Sequence, residues 1–77
     1  MFIALSKIRA MEHLPYPVLL GLIDATYALD GIAGITLEAA FKAPSIARKR
    51  GEWVSVPVST GETVQACIIG QFVKVEF

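Results

Sequence analysis

The second half of the chain alternates between apolar and polar residues. Val54, Val56 and Val58 are separated by Ser55, Pro57 and Ser59; Val73, Val75 and Phe77 are separated by Lys74 and Glu76. A period of two sends successive side chains to opposite faces, so both segments are expected to be half-buried strands. Pro57 cannot donate a ladder hydrogen bond, which places the first of them at a sheet edge. Between them, residues 63–69 are apolar on both faces, as a central strand requires. Ser59-Thr60-Gly61-Glu62 supplies a hairpin turn, and Gly70 allows a bulge or turn before the last strand.

The first half follows a helical period. Over Val18 to Leu29, Leu19, Leu22, Ile23 and Leu29 fall near one side, and Asp24 and Thr26 are among the few polar positions. This pattern predicts a mostly buried helix, with Pro17 suited to its first turn. Asp30-Gly31 reads as its stop, with glycine free to adopt the left-handed conformation, and residues 31–34 read as a turn or link. Thr36 is then expected to cap a second helix through Lys42, with Glu38 favourably placed in the first turn. Ala43-Pro44 would end that helix, and Ser45 would cap a short third one over 46–50, closed by Gly51. Residues 2–8 read as a strand, or equally as a helical turn or two with Leu5, Ile8 and Glu12 on one stripe; the strand is preferred. Leu14-Pro15-Tyr16-Pro17 stops whatever precedes it. The expected fold is therefore a single α+β domain spanning 1–77, with two to three helices packed on a small three- or four-stranded, mainly antiparallel sheet.

Composition sharpens this reading. The 77 residues are 55% apolar and 18% charged, with seven basic and seven acidic side chains. Such a chain is too apolar for disorder and too short for several domains. Scaling gives a folded surface of roughly 4,600 Å², a marginal burial for so much apolar content. The surplus points to a partner, a second copy or a lipid surface. Zero net charge leaves no global field toward nucleic acid or an anionic membrane. The neutral total hides blocks: residues 12–41 carry only acids, and residues 42–50 only bases.

Residues 14–35 are interrupted by Asp24, Asp30, Gly31 and Gly34, which argues against a membrane span. The apolar start precedes Lys7 and Arg9, the reverse of a secretory signal, so a cytoplasmic setting is expected. The single cysteine, Cys67, cannot form an internal disulfide and fits a small core hydrophobe in a reducing compartment.

Candidate chemistry is sparse. Cys67, His13 and Asp24 can be assembled on paper as a thiol triad, but burial in an apolar strand raises a thiol pKa. Neither a phosphate-binding loop nor a metal-ligand spacing occurs, so no cofactor, no metal and no catalytic residue is assigned. Asp24, Asp30 and Glu38 read as solvated helix edges. The expected function is a non-catalytic protein-binding module: a small regulator, inhibitor or assembly component. Its anchors would be Tyr16, Leu22, Tyr27, Phe41 and Trp53, and its partner a protein with an acidic or apolar surface. Lys42, Arg48, Lys49 and Arg50 form a central basic patch. With helices at 37–42 and 46–50 and a hairpin behind them, this patch supports an alternative, a winged-helix-like DNA-binding protein. No Asn is present to read bases, and Gln65 and Gln71 lie in the expected sheet. A homo-oligomer is expected, formed first through the helix at 18–29 and second through the terminal strand at 72–77 as a sheet edge.

Overall fold

The alternating segments fold as their period requires. In the computed structural model, which describes residues 2–77, the chain runs β1 (Phe2–Ala4), α1 (Leu5–Glu12), α2 (Tyr16–Leu29), α3 (Gly31–Ile46), β2 (Trp53–Pro57), β3 (Thr63–Ile69) and β4 (Phe72–Glu76). The four strands form one antiparallel sheet in the order β1-β4-β3-β2. The architecture is α+β, with three helices and a four-stranded open sheet. Pro57 sits on the edge strand β2, and β3 is internal, as the pattern predicts.

Register sorts the side chains. Val56, Val64, Ala66, Val73 and Val75 point to one face and meet Leu5 and Ile8 of α1 and Ala39, Ala40 and Ala43 of α3 in the core. The three alanines let α3 lie close to the sheet, and α3 packs on β2, β3 and β4. The folded chain exposes 4773 Å², near the value expected for its size.

Several boundaries differ from expectation, each for a physical reason. Both readings of the N-terminal segment are realised in succession: residues 2–4 pair with β4, and the helix begins at Leu5. Leu5 and Ile8, three apart, are both buried, which a strand through Ile8 could not achieve. The Leu5 N–H, otherwise an orphan of the helix start, donates to the Gln71 carbonyl at 2.8 Å.

Asp30-Gly31 does not end in a left-handed glycine. Asp30 adopts an extended conformation, and its carboxylate accepts from the N–H groups of Ile32 and Ala33. It is thus the N-cap of α3, and residues 31–34 form the first turn of that helix, not a link. Thr36 is mid-helix, donating its hydroxyl to the Ile32 carbonyl. Pro44 does not terminate α3, which continues to Ile46 because only the last turn lies beyond it. Ser45 donates back to the Lys42 carbonyl instead of capping a new helix, and residues 47–50 are not helical. The helix-turn-helix-like outline is therefore absent.

α2 is also not mostly buried. Only Leu19 and Ile23 are, because α2 leans on α3 while α3 itself covers the sheet. Finally, β4 lies between β1 and β3, so the terminal strand is not an edge available for pairing.

Candidate functional site

Five aromatic or apolar anchors were singled out by sequence, and the fold distributes them over three places. Tyr16 and Leu22 stand exposed on α2, and Phe41 is half-buried on α3. Tyr27 turns inward, and its hydroxyl donates to Glu38 Oε2 at 2.8 Å. Trp53 lies on the opposite side of the sheet from the helices, since its row partner Cys67 faces away from the core. There is no single surface that holds all five.

Glu38 is the residue that sequence reasoning misplaced. It is not a solvated helix edge but only 3% exposed. One turn of the chain and two helices converge on its carboxylate. The Ser59 N–H donates to both oxygens at 2.8 and 2.9 Å, the Ser59 hydroxyl donates to Oε1, and Tyr27 donates to Oε2. Lys42 Nζ stands 3.8 Å from Oε1 and also donates to the Pro57 carbonyl. Burial pushes the Glu38 carboxyl pKa up, but the Ser59 and Tyr27 hydrogen bonds and the Lys42 charge outweigh it, leaving the pKa below its ordinary value. The same contact, with desolvation as the larger cause, pushes the Tyr27 phenol well above its ordinary value.

Every partner on Glu38 either holds it ionised or is satisfied by it. The arrangement thus clamps α2, α3 and the β2–β3 turn, and leaves no free proton acceptor. Beside it a hollow of about 310 Å³ is lined by Tyr16, Leu19, Ile23, Phe41 and Lys42. Lys42 belongs to this site and not to the basic patch.

The remaining bases gather elsewhere. Arg48, Lys49 and Arg50 join Arg9 of α1 around a hollow of about 250 Å³, with Glu12, Ile8 and Ile68 also in its lining. Arg9 was invisible as a member because it is 39 residues away from Arg48 in the chain. Arg50 Nη1 donates to the Gly70 carbonyl at 2.5 Å, which fixes this segment beside the β3–β4 turn.

Cys67, His13 and Asp24, which the sequence reading set aside as a thiol triad, are not brought together. Cys67 is buried on the face away from the helices that carry Asp24 and lead into His13. Among the described residues no three His, Cys, Asp or Glu side chains come together to hold a metal ion, and no helix is long and apolar enough to cross a membrane.

The outer face of α2 is apolar and exposed. Val18 is half exposed, Leu22 is 44% exposed and Leu29 89%, with Tyr16 and Ile32 flanking them. Asp24 is the one charged residue of the helix. Comparison of the chain with protein-family models, with characterised proteins and with solved structures finds no match.

Proposed function

We propose that the chain is a non-catalytic protein-binding module, an assembly component that pairs with a second copy of itself through the outer face of α2. The observation that carries this reading is a helix apolar on more than one face of which only the Leu19–Ile23 stripe is buried. Exposed apolar side chains in such number form a patch on the order of several hundred Å², which in soluble proteins marks an interface. A two-fold axis brings a patch against itself, so it must be self-complementary. A face without opposed charges meets that condition at no electrostatic cost. Both sheet edges are poor alternatives: β1 is three residues long and β2 carries Pro57. A free, buried Cys67 suits a reducing, cytoplasmic setting.

Light scattering coupled to size exclusion tests the proposal. A mass of twice 8.3 kDa is expected at micromolar concentration, and Leu22→Glu is expected to return it to the monomer with an unchanged circular dichroism spectrum. A monomer across that range, or a dimer indifferent to Leu22→Glu, refutes the reading.

A further inference from the structure

We infer that the hollow ringed by Arg9, Arg48, Lys49 and Arg50 binds a small organic phosphate monoester, with its dianion held by the cations and its organic part against Ile68 and Pro44. The fold brings these bases together from two places: Arg9 from α1, and the other three from the segment that follows α3. One acid, Glu12, shares the lining. Among the described residues none of the four bases makes an ion pair; the pairs found there join Lys42 to Glu38 and Lys74 to Glu76. Positive side chains gathered around a concavity repel one another, and a cleft with apolar walls focuses their field toward an anion. The wall behind them is apolar: Leu5 and Ile8 are buried and Ile68 is half-buried.

A cation cluster here has a simpler explanation, which the hydrogen bonds do not support. Cations commonly serve the unpaired carbonyls at a helix C-terminus, and α3 ends beside the hollow. Among the described residues, however, none of the four side chains donates to that end. Arg50 donates to the Gly70 carbonyl in the β3–β4 turn, and Arg9, Arg48 and Lys49 donate to nothing. The backbone N–H groups of Arg48, Lys49 and Arg50 likewise donate to no described residue. Donors are thus in surplus, and the Arg50 bond holds their segment in place before a ligand arrives.

The number and kind of donors select the ligand. A phosphate monoester carries about −1.5 to −2 charges at pH 7 and three acceptor oxygens, so it can engage several cations at once. Guanidinium groups meet it bidentately. A carboxylate has a single charge, and one arginine would satisfy it. A phosphodiester within a nucleic-acid strand cannot enter a hollow of about 250 Å³ without its two sugars, whereas a terminal phosphate can. Pockets for drug-sized ligands span roughly 300–1,000 Å³, so the organic part here is small. No residue of α2 lines the hollow, so the site does not depend on pairing through that helix.

Phenyl phosphate is the probe, titrated against chloride at constant ionic strength into the intact, isotope-labelled protein. Saturable changes in amide chemical shift are expected at residues 9, 48–50 and 68–70. Dimethyl phosphate and benzoate, each a monoanion, should bind about tenfold more weakly. Inorganic phosphate, which lacks the apolar part, should bind several-fold more weakly. Arg9→Gln and Arg48→Gln, both at exposed positions, should each weaken phenyl phosphate about tenfold with an unchanged circular dichroism spectrum. Lys7→Gln removes the same charge from α1 outside the hollow and should leave the affinity unchanged. Absence of saturable shifts overturns the proposal. So does equal affinity for dimethyl phosphate, benzoate or inorganic phosphate, or an equal loss on Lys7→Gln and Arg9→Gln. A response to vesicles containing phosphatidic acid but not to phenyl phosphate would place the monoester on a lipid, and would overturn it as well.

Discussion

Glu38 shows what one side chain can decide. Its carboxylate is surrounded by donors, so replacing it with glutamine turns an N–H₂ toward at least one of them. Charge-assisted hydrogen bonds contribute about 1.5–3 kcal/mol each, and Glu38→Gln is expected to cost about 2 kcal/mol in urea unfolding. Tyr27→Phe, which removes one donor, should cost about 1 kcal/mol. Acid should act through the same group. The carboxyl pKa is lower in the folded chain than its ordinary 4.5, so the unfolded state binds the proton first and protonation favours unfolding. The Glu38 contribution is thus complete above that ordinary value and is lost as pH falls through the lower, folded one. The difference in urea midpoint between the wild type and Glu38→Gln should therefore shrink as pH falls from above the ordinary carboxylate value through the lower, folded one. Nothing in the neighbouring residues announces this role. Ser59 is 21 positions away and Tyr27 is 11, and an acid in a helical pattern is ordinarily solvated.

At the scale of elements, glycines 21 and 34 look alike in sequence and differ in the fold. A Cβ on Gly21 meets nothing within 4 Å, whereas one on Gly34 would lie 2.7 Å from the Tyr27 ring and 2.8 Å from its Cα. Gly21→Ala is expected to stabilise by about 0.5–1 kcal/mol through helix propensity. Gly34→Ala should destabilise by about 1–3 kcal/mol, because the α2–α3 crossing must open. Thermal or urea unfolding of the two variants, with opposite signs, checks the close approach. Asp30→Ala should cost about 1 kcal/mol as a lost N-cap. The same residue explains why the helical half was cut wrongly. Asp-Gly carries stop and start signals at once, and only the packing of Gly34 against Tyr27 selects a one-residue hinge over a loop. Pro44 misled in the same way: a proline near a helix end reads as the end, although α3 runs on to Ile46. The strands were easier, because a period of two with Gly61 and Gly70 at the turns admits few alternatives. Both glycines have positive φ, 92° and 58°.

For the whole molecule, the fold distinguishes substitutions that unfold from those that act at the surface. Val75 is buried in the core on an internal strand, so Val75→Glu should abolish the cooperative unfolding transition seen by circular dichroism. A carboxylate at the exposed Leu22 should leave that transition in place and change only the mass in solution. The sequence alone determined the class of this protein: alternation makes strands, a 3.6-residue period makes helices, and 55% apolar content in 77 residues leaves apolar side chains at the surface. Those are local or additive properties, legible because each depends on residues close together or on their sum. Tertiary structure alone decided the strand order that hides β4, the convergence of Tyr27, Lys42 and Ser59 on Glu38, the meeting of Arg9 with Arg48, and which side of α2 faces water. Each of these is a contact between segments distant in the chain, and no periodicity within one segment specifies which other segment will lie against it.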